Sequence, residues 1–220
     1  FLYIAYIDTN KSYLLRKASS VSCFLLRFIR FFIVSAAGIP SKRTPYAWFT
    51  IGISMPTKSE ERWNKDGNNL KAKLEKAGYK VILSFADDKP AQQNADIENM
   101  VNNDAKIVVV ASKDGTAVGP AVEKARDAGA KVIAYDRLIM NTDAVDYYAT
   151  FQLEQVGVLE ATWLIDQLKL KDGATGPFNI ELFTGSPDDN NAKYFFKGAW
   201  DLLQPYFEKG VLVSPSQHGQ

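Results

Sequence analysis

The chain has 220 residues, of which 46% are hydrophobic and 23% charged, an ordinary composition for a soluble globular protein. Its formal net charge of +1 conceals an asymmetry, because residues 1–50 hold seven Lys/Arg and one acid, whereas the remainder holds 19 basic and 24 acidic residues. A mildly acidic body argues against a general nucleic-acid-binding surface. Cys23 and His218 are the single cysteine and histidine, which excludes an internal disulfide and argues against a His-dependent triad or a His/Cys metal site.

Residues 1–47 differ in composition from everything that follows. The chain begins with Phe1 rather than Met, so we expect a fragment. The apolar stretch 21–37 follows a basic pair and ends in small residues, which loosely resembles a secretory signal. Arg27 and Arg30 interrupt this stretch and argue against a membrane span. A degraded signal, an upstream segment without a native role and a basic interfacial helix stand as alternatives.

From residue 48 onward, short apolar runs alternate with longer helical patterns. The predicted strands are 49–54, 80–85, 107–111, 132–135, 147–151 and 178–183, and the predicted helices are 60–77, 91–102, 116–128, 154–168 and 192–203. Short apolar strands are typical of a parallel sheet that is covered on both faces. Their alternation with helices indicates βαβ units with right-handed crossovers. The sequence therefore predicts a doubly wound α/β fold.

Polar side chains follow four of the predicted strands. In chain order they include Arg62 and Trp63, then Asp114, then Asp136 and Arg137, and finally the Asp-Asn run within 186–192. In open α/β sheets the ligand binds outside the carboxyl ends of the strands. One such loop would be unremarkable, but four together predict a ligand site.

The run 186–192 reads Ser-Pro-Asp-Asp-Asn-Asn-Ala and precedes a predicted helix. Carboxylates accept hydrogen bonds from hydroxyl groups, whereas carboxamides both accept and donate, so the run suits a ligand rich in hydroxyls. Asp and Asn are also preferred at helix N-caps, and Ser-Pro-Asp-Asp is an ordinary turn. The run alone is compatible with either role.

Arg62 and Trp63 combine a planar cation with an aromatic face. A pyranose ring has an apolar face and a hydroxyl periphery, so indole stacking beside an arginine fork fits it. The alternative for Trp63 is a structural anchor of the first helix, together with Leu70 and Leu74.

Asp136 and Arg137 follow an apolar strand without a break, so they form either a structural ion pair or part of the crevice. Asp114 is either a site residue or an N-cap for the helix that follows, with Thr116 as a competing cap.

Other chemistries fit the sequence poorly. Gly52 stands alone in the first strand, and no Gly-x-Gly-x-x-Gly or Walker-type loop follows it. Asp188 and Asp189 could suggest glycoside hydrolysis, but hydrolases place their two acids on opposite sides of the bond. Binding without catalysis is the better interpretation, and we expect neither an enzyme nor a cofactor.

Several long stretches carry a family resemblance: 55–63, 93–100, 134–139, 147–151 and 185–192. In these stretches the chain resembles the periplasmic sugar-binding proteins of ABC transporters, in the branch that binds multiple monosaccharides and xylose. The resemblance covers about 51–213. It implies a type I periplasmic-binding fold whose two lobes close on an aldose such as glucose, galactose, arabinose or xylose. It also implies a periplasmic protein that docks on an ABC permease or a membrane sensor kinase.

By matching motif, the resemblance implies sugar contacts by Arg62, Trp63, Asp114, Asp136, Arg137, Asp189 and Asn191. It divides the chain into a leader at 1–47, a first lobe at 48–151 and the start of a second lobe at 152–220, which we expect to be incomplete. Gln152 and Leu153 stand where the family commonly has an Asp-Asn pair, which alters the expected hinge. The effector domain of a sugar-responsive repressor shares the architecture, and an inactive truncated chain is a further alternative.

Overall fold

The computed structural model of the protein describes residues 3–6 and 49–216. Their strands and helices, in chain order, are β1 (Tyr3–Tyr6), β2 (Thr50–Met55), α1 (Glu61–Lys76), β3 (Lys80–Phe85), α2 (Pro90–Asn102), β4 (Ala105–Val110), α3 (Gly119–Asp127), β5 (Lys131–Tyr135), β6 (Tyr147–Ala149), α4 (Leu153–Gln167), β7 (Phe178–Phe183), α5 (Asn191–Glu208) and β8 (Leu212–Val213). A short 3-10 helix, Leu170–Asp172, follows α4. The predicted leader lies outside the described residues, apart from β1.

The described residues divide into two compact units. The first unit runs to Ala149, and the second contains β1 together with the residues from Thr150 onward. Every strand named in the sequence prediction is present within a few residues of its predicted bounds, and β1 is an additional strand that was not predicted.

The first unit contains a five-stranded sheet in the order β3-β2-β4-β5-β6, and every adjacent pair is parallel. This confirms the predicted α/β architecture. The chain places β3 on one side of β2 and then returns to place β4 on the other side. The carboxyl ends of β2 and β4 therefore flank the topological switch point, where sheets of this kind bind ligands.

Both faces of this sheet are covered, as the apolar strands predicted. All six residues of β2 are buried. On one face α1 buries Trp63, Leu70 and Leu74, which are spaced for a single stripe along a helix. On the other face α2 lies so close to β2 that a Cβ at Gly52 would come within 2.5 Å of the Met100 sulfur. The packing fixes where each strand end, and hence each polar loop, is placed.

In the second unit, β7 pairs with β1 on one side, antiparallel, and with β8 on the other, parallel. Helix α5 runs to Glu208, beyond the predicted end at Leu203, and contains Pro205. A proline inside a helix removes one hydrogen bond and normally ends it. Here the helix continues past the proline, and the next two residues, Tyr206 and Phe207, are partly buried against the apolar core of the unit.

Candidate functional site

An ion pair joins the first turn of α1, the helix that follows β2, to the residue directly after β5. Nη2 of Arg62 lies 2.5 Å from Oδ1 of Asp136, and Nε of Arg62 lies 3.5 Å from Oδ2 of Asp66, one helical turn further along α1. The Arg62 and Asp136 side chains are only 29% and 12% exposed. Burial opposes the charge on Arg62, but the two carboxylates outweigh it and raise the pKa of the guanidinium. The arginine is therefore a permanently charged donor held in a fixed orientation.

Asp136 has an unusual backbone conformation that aims its side chain. Its φ is 64°, in the left-handed region that non-glycine residues seldom adopt. Its amide donates to the carbonyl of Ala149 at 2.8 Å, and its carbonyl accepts from the hydroxyl of Tyr148 at 3.1 Å. Strand β6 thus holds this residue from both sides. Backbone strain that the surroundings enforce is common where side chains are positioned for function.

Trp63 is both a core residue and part of the charged cluster. It is 1% exposed and packs with Leu70 and Leu74, as the structural alternative predicted. Its ring centre also lies 4.6 Å from Cζ of Arg62 and 5.2 Å from Cζ of Arg137. These distances lie within the range of cation–π attraction. The buried indole nitrogen has no hydrogen-bond acceptor among the described residues.

Arg137 ties the loop after β4 to the same cluster. Its Nη1 donates to the carbonyl oxygens of Ser112 at 3.1 Å and of Lys113 at 3.3 Å. Arg137 is half-buried, and its guanidinium lies against Trp63. The first turn of α1, the loop after β4 and the end of β5 are therefore joined through two arginines.

Asp114 lies in the loop that Arg137 holds. Its Oδ1 accepts from the amides of Thr116 and Ala117, both at 2.8 Å. The capping acceptor is thus Asp114 rather than Thr116. The residues that it caps form a turn, so α3 begins at Gly119 and not at residue 116 as predicted.

The Asp-Asn run of the second unit precedes and opens α5. Oδ1 of Asp189 accepts from the amide of Asn191 at 3.0 Å, so the capping role proposed for this run is present. Asn191 is the first residue of the helix and is 3% exposed, whereas Asp188 is exposed. A carboxylate has two oxygens, so a capping bond through one oxygen is compatible with ligand binding through the other.

Sequence reasoning missed two members of the charged cluster. The hydroxyl of Tyr135 donates to Oδ2 of Asp66 at 3.0 Å, the oxygen that also faces Arg62. Burial and this carboxylate raise the pKa of the Tyr135 hydroxyl, so the tyrosine remains a donor. The spacing of Arg62 and Asp66 by four residues on one helix was an available signal. Nothing local to Tyr135 indicated its partner.

The described residues contain no group of three or more His, Cys, Asp or Glu side chains arranged to hold a metal ion. In the same part of the chain, no helix combines the length and the apolarity that crossing a membrane requires. The polar groups of the charged cluster and the neighbouring loops are arginines, carboxylates, amides and hydroxyls. Such a set can bind a neutral polar ligand through directed hydrogen bonds.

Residues 51–220 match the family described as Periplasmic binding protein domain. The chain belongs to this family. A multiple sugar-binding periplasmic receptor, ChvE of Rhizobium radiobacter, is 54% identical to it over 167 residues, which are 76% of this chain and 47% of the receptor. The D-xylose-binding periplasmic protein of Escherichia coli is 36% identical over 162 residues, which are 74% of this chain and 47% of that protein.

Among solved structures, an ABC transporter solute-binding protein from Clostridium phytofermentans with bound β-D-glucose superposes with a TM-score of 0.74 at 45% identity. The match covers 78% of this chain and 52% of that protein. The resemblance inferred from the sequence and the type I periplasmic-binding fold are thereby confirmed. This periplasmic binding protein chain spans about half the length of the curated relatives it matches.

Proposed function

We propose that the whole protein binds a monosaccharide, an aldose such as glucose, galactose, arabinose or xylose. The observation that carries this proposal is the cluster of Arg62, Asp136, Trp63 and Arg137 at the carboxyl edge of the parallel sheet. Relatives named as multiple sugar-binding and D-xylose-binding proteins, and a relative with bound β-D-glucose, support the same ligand class.

The chemistry of the cluster suits a polyhydroxylated ring. Arginine N–H groups donate to hydroxyl oxygens, and carboxylates accept from hydroxyl hydrogens in short charge-assisted hydrogen bonds. Arg62 is already oriented by Asp66 and Asp136, so binding costs it little conformational entropy.

The remaining predicted ligands complete the proposed set. Asp114 is half-buried in the loop that Arg137 holds, and its Oδ1 serves the backbone. Asp189 and Asn191 are proposed as ligands from the second unit, where the Asp189 carboxylate also serves as a cap.

We also propose that the protein acts in the periplasm by binding alone and delivers its sugar to an ABC permease or a membrane sensor kinase. Relatives named as periplasmic receptors and as ABC transporter solute-binding proteins support the periplasmic location and the permease. The sensor kinase is proposed from the resemblance in sequence.

The test is isothermal titration calorimetry of the whole protein with D-glucose, D-galactose, L-arabinose and D-xylose. We expect saturable binding of at least one aldose with one site per chain. D-sorbitol, which cannot close into a pyranose ring, serves as the control and should give no saturable heat. Absence of binding to every aldose in the panel would overturn the proposal.

The contribution of the second unit is tested at Asp189. In the whole protein, Asp189→Ala should weaken aldose binding by more than tenfold, about 1.4 kcal/mol, because a bound hydroxyl loses its acceptor. Asp188→Ala, at the exposed neighbour, should bind like the wild type. Since alanine also removes the capping bond, Asp189→Ser is measured in parallel, because serine keeps a capping oxygen but has a shorter reach. Wild-type affinity in both Asp189 variants would return this residue to a capping role alone.

A further inference from the structure

Gln93 is a buried polar residue that is not among the predicted residues of the ligand site. It lies in the first turn of α2 and is 1% exposed, on the helix face that also buries Ile97 and Met100. An uncharged amide in such an environment must find hydrogen-bond partners, because an unsatisfied buried amide is costly. Its partners therefore show what the residue holds in place.

The amide of Gln93 connects two strand ends. Its Nε2 donates to Oγ of Ser54, in β2, at 3.1 Å and to the carbonyl of Ala111, just after β4, at 2.9 Å. Its Oε1 accepts from the amide of Lys113 at 2.7 Å. One side chain thus grips two successive peptide groups of the loop after β4 and fastens them to β2. These are the two strands that flank the switch point of the sheet.

One of those peptide groups links Gln93 to the arginine cluster. The peptide between Ser112 and Lys113 gives its N–H to Gln93 at 2.7 Å, and its carbonyl accepts from Nη1 of Arg137 at 3.1 Å. Because a peptide group is planar and stiff, fixing its N–H also fixes the direction of its carbonyl. The orientation of Gln93 is therefore transmitted to the guanidinium of Arg137, which lies 5.2 Å from the Trp63 ring centre.

We propose that Gln93 is a positioning residue for the ligand site, which sets the loop from Ala111 to Asp114 and, through one peptide group, the guanidinium of Arg137. The ligand in question rests on the proposed sugar-binding function. The placement of the loop does not depend on it. Gln93 itself need not touch the sugar.

The experiment compares Gln93→Met with two controls. Methionine has a similar length but neither donates nor accepts as an amide does. Gln92→Met makes the same replacement at the exposed neighbouring position, where the side chain donates to Oδ1 of Asp96 on the helix surface. The second control reports the effect of lost stability alone. It is Ile97→Val or Ile97→Ala, whichever has the same melting temperature as Gln93→Met, because Ile97 is buried one turn away on the same helix.

The first readout is hydrogen–deuterium exchange of the unliganded chain, which requires no sugar. In Gln93→Met we expect the Lys113 amide to exchange at least tenfold faster than in the Ile97 variant of equal stability. Equal exchange at Lys113 in the Gln93 and Ile97 variants would overturn the proposal. Should Gln93→Met fail to fold, Gln93→Asn, whose side chain is shorter and does not reach the Lys113 amide, takes its place with an Ile97 variant matched to its melting temperature. Equal exchange at Lys113 in these two variants would then overturn the proposal.

The second readout is aldose affinity of the whole protein by calorimetry. We expect Gln93→Met to bind at least tenfold more weakly, whereas the Ile97 and Gln92 variants bind within about twofold of the wild type. Wild-type affinity in Gln93→Met would contradict a positioning role. A wild-type protein that binds no aldose would instead overturn the proposed function, and exchange at Lys113 would still decide whether Gln93 sets the loop.

Discussion

Arg62 is held by two carboxylates while its guanidinium lies against an indole ring. Asp136 approaches from the end of β5, and Asp66 approaches from the next turn of the same helix. Partly buried charges are stable only where partners and hydrogen bonds replace lost hydration. The cluster therefore contributes an ordered set of donors and acceptors more than it contributes stability.

Replacing Arg62 tests how much its ion pair with Asp136 contributes to the stability of the fold. We expect Arg62→Met to lower the free energy of unfolding by about 2 kcal/mol, less than for a fully buried pair because the arginine is partly exposed. Urea denaturation of the chain followed by circular dichroism measures this. Lys65→Met is the matched control, since its partner Glu61 and the lysine itself are exposed, and it should cost under about 0.5 kcal/mol. Equal effects of the two substitutions would contradict the prediction.

Residues of the cluster could be predicted from the sequence where a local pattern marked them, and could not where their role depends on distant partners. Arg62, Asp136 and Arg137 were predicted as site residues because each follows an apolar strand, and the structure brings them into one cluster. Gln93 and Tyr135 were not predicted, because their partners come from other elements.

At the scale of elements, α4 and α5 pack at unusually close range. A Cβ on Gly157 would overlap the carbonyl oxygen of Phe195, and a Cβ on Gly198 would overlap that of Glu154. Each helix therefore uses a glycine to let the backbone of the other approach. Helix propensity favours alanine over glycine, so the glycines oppose local preference and serve the tertiary contact.

Alanine at this contact should be destabilising despite its better helix propensity. For Gly198→Ala we expect a loss of about 2 kcal/mol or more, because the two helix backbones must move apart. Gly119→Ala, in α3, has no atom within 4 Å of the added carbon and should be neutral or slightly stabilising. Thermal unfolding of both variants measures the contrast. A stabilised Gly198→Ala would show that the helices are not in this close contact.

Glu160 introduces a pH dependence into α4. Its Oε2 is buried without a hydrogen-bond partner among the described residues, and burial raises its pKa from 4.5 to about 7. Because the folded pKa lies above the unfolded value, the folded state retains the proton longer, and the stability from this group falls as the pH rises from about 4.5 to 7. The carboxylate is partly exposed, so the loss is on the order of 1 kcal/mol after allowance for solvent screening.

Glu160→Gln should remove this dependence, because glutamine does not titrate. The quantity of interest is the unfolding free energy of the variant minus that of the wild type. We expect this difference to be about 1 kcal/mol larger at pH 8 than at pH 4.5. Urea denaturation at both pH values provides the measurement. Glu154→Gln, at an exposed position of the same helix, should leave the wild-type pH profile unchanged. A parallel shift of both variants would rule out burial of Glu160 as the cause.

At the scale of the whole molecule, aldose binding should appear as added stability. A ligand that binds only the folded state at 100 times its Kd adds about 2.7 kcal/mol to the unfolding free energy. We therefore expect the melting temperature of the whole protein to rise with the concentration of the aldose that calorimetry identifies, by an amount calculable from its Kd. D-sorbitol at the same concentrations corrects for general solute effects. An aldose that binds in calorimetry but leaves the melting temperature at the sorbitol value would contradict binding to the folded state alone.

The alternation of strands and helices, the α/β class and the positions of the polar loops after β2, β4, β5 and β7 could all be predicted from the amino-acid sequence. These features follow from hydrophobic periodicity and turn residues, which act within short windows of the chain. Its long matching stretches also indicated the family.

Which polar groups meet became clear only from the folded chain. Arg62 and Asp136 are 74 positions apart and pair because the parallel sheet brings the start of α1, after β2, and the end of β5 to one edge. The same holds for the peptide group that Gln93 and Arg137 share, and for the two glycines that bring α4 and α5 together. Such contacts depend on the order of strands and the distance between helices, which are properties of the packed chain and not of any local window.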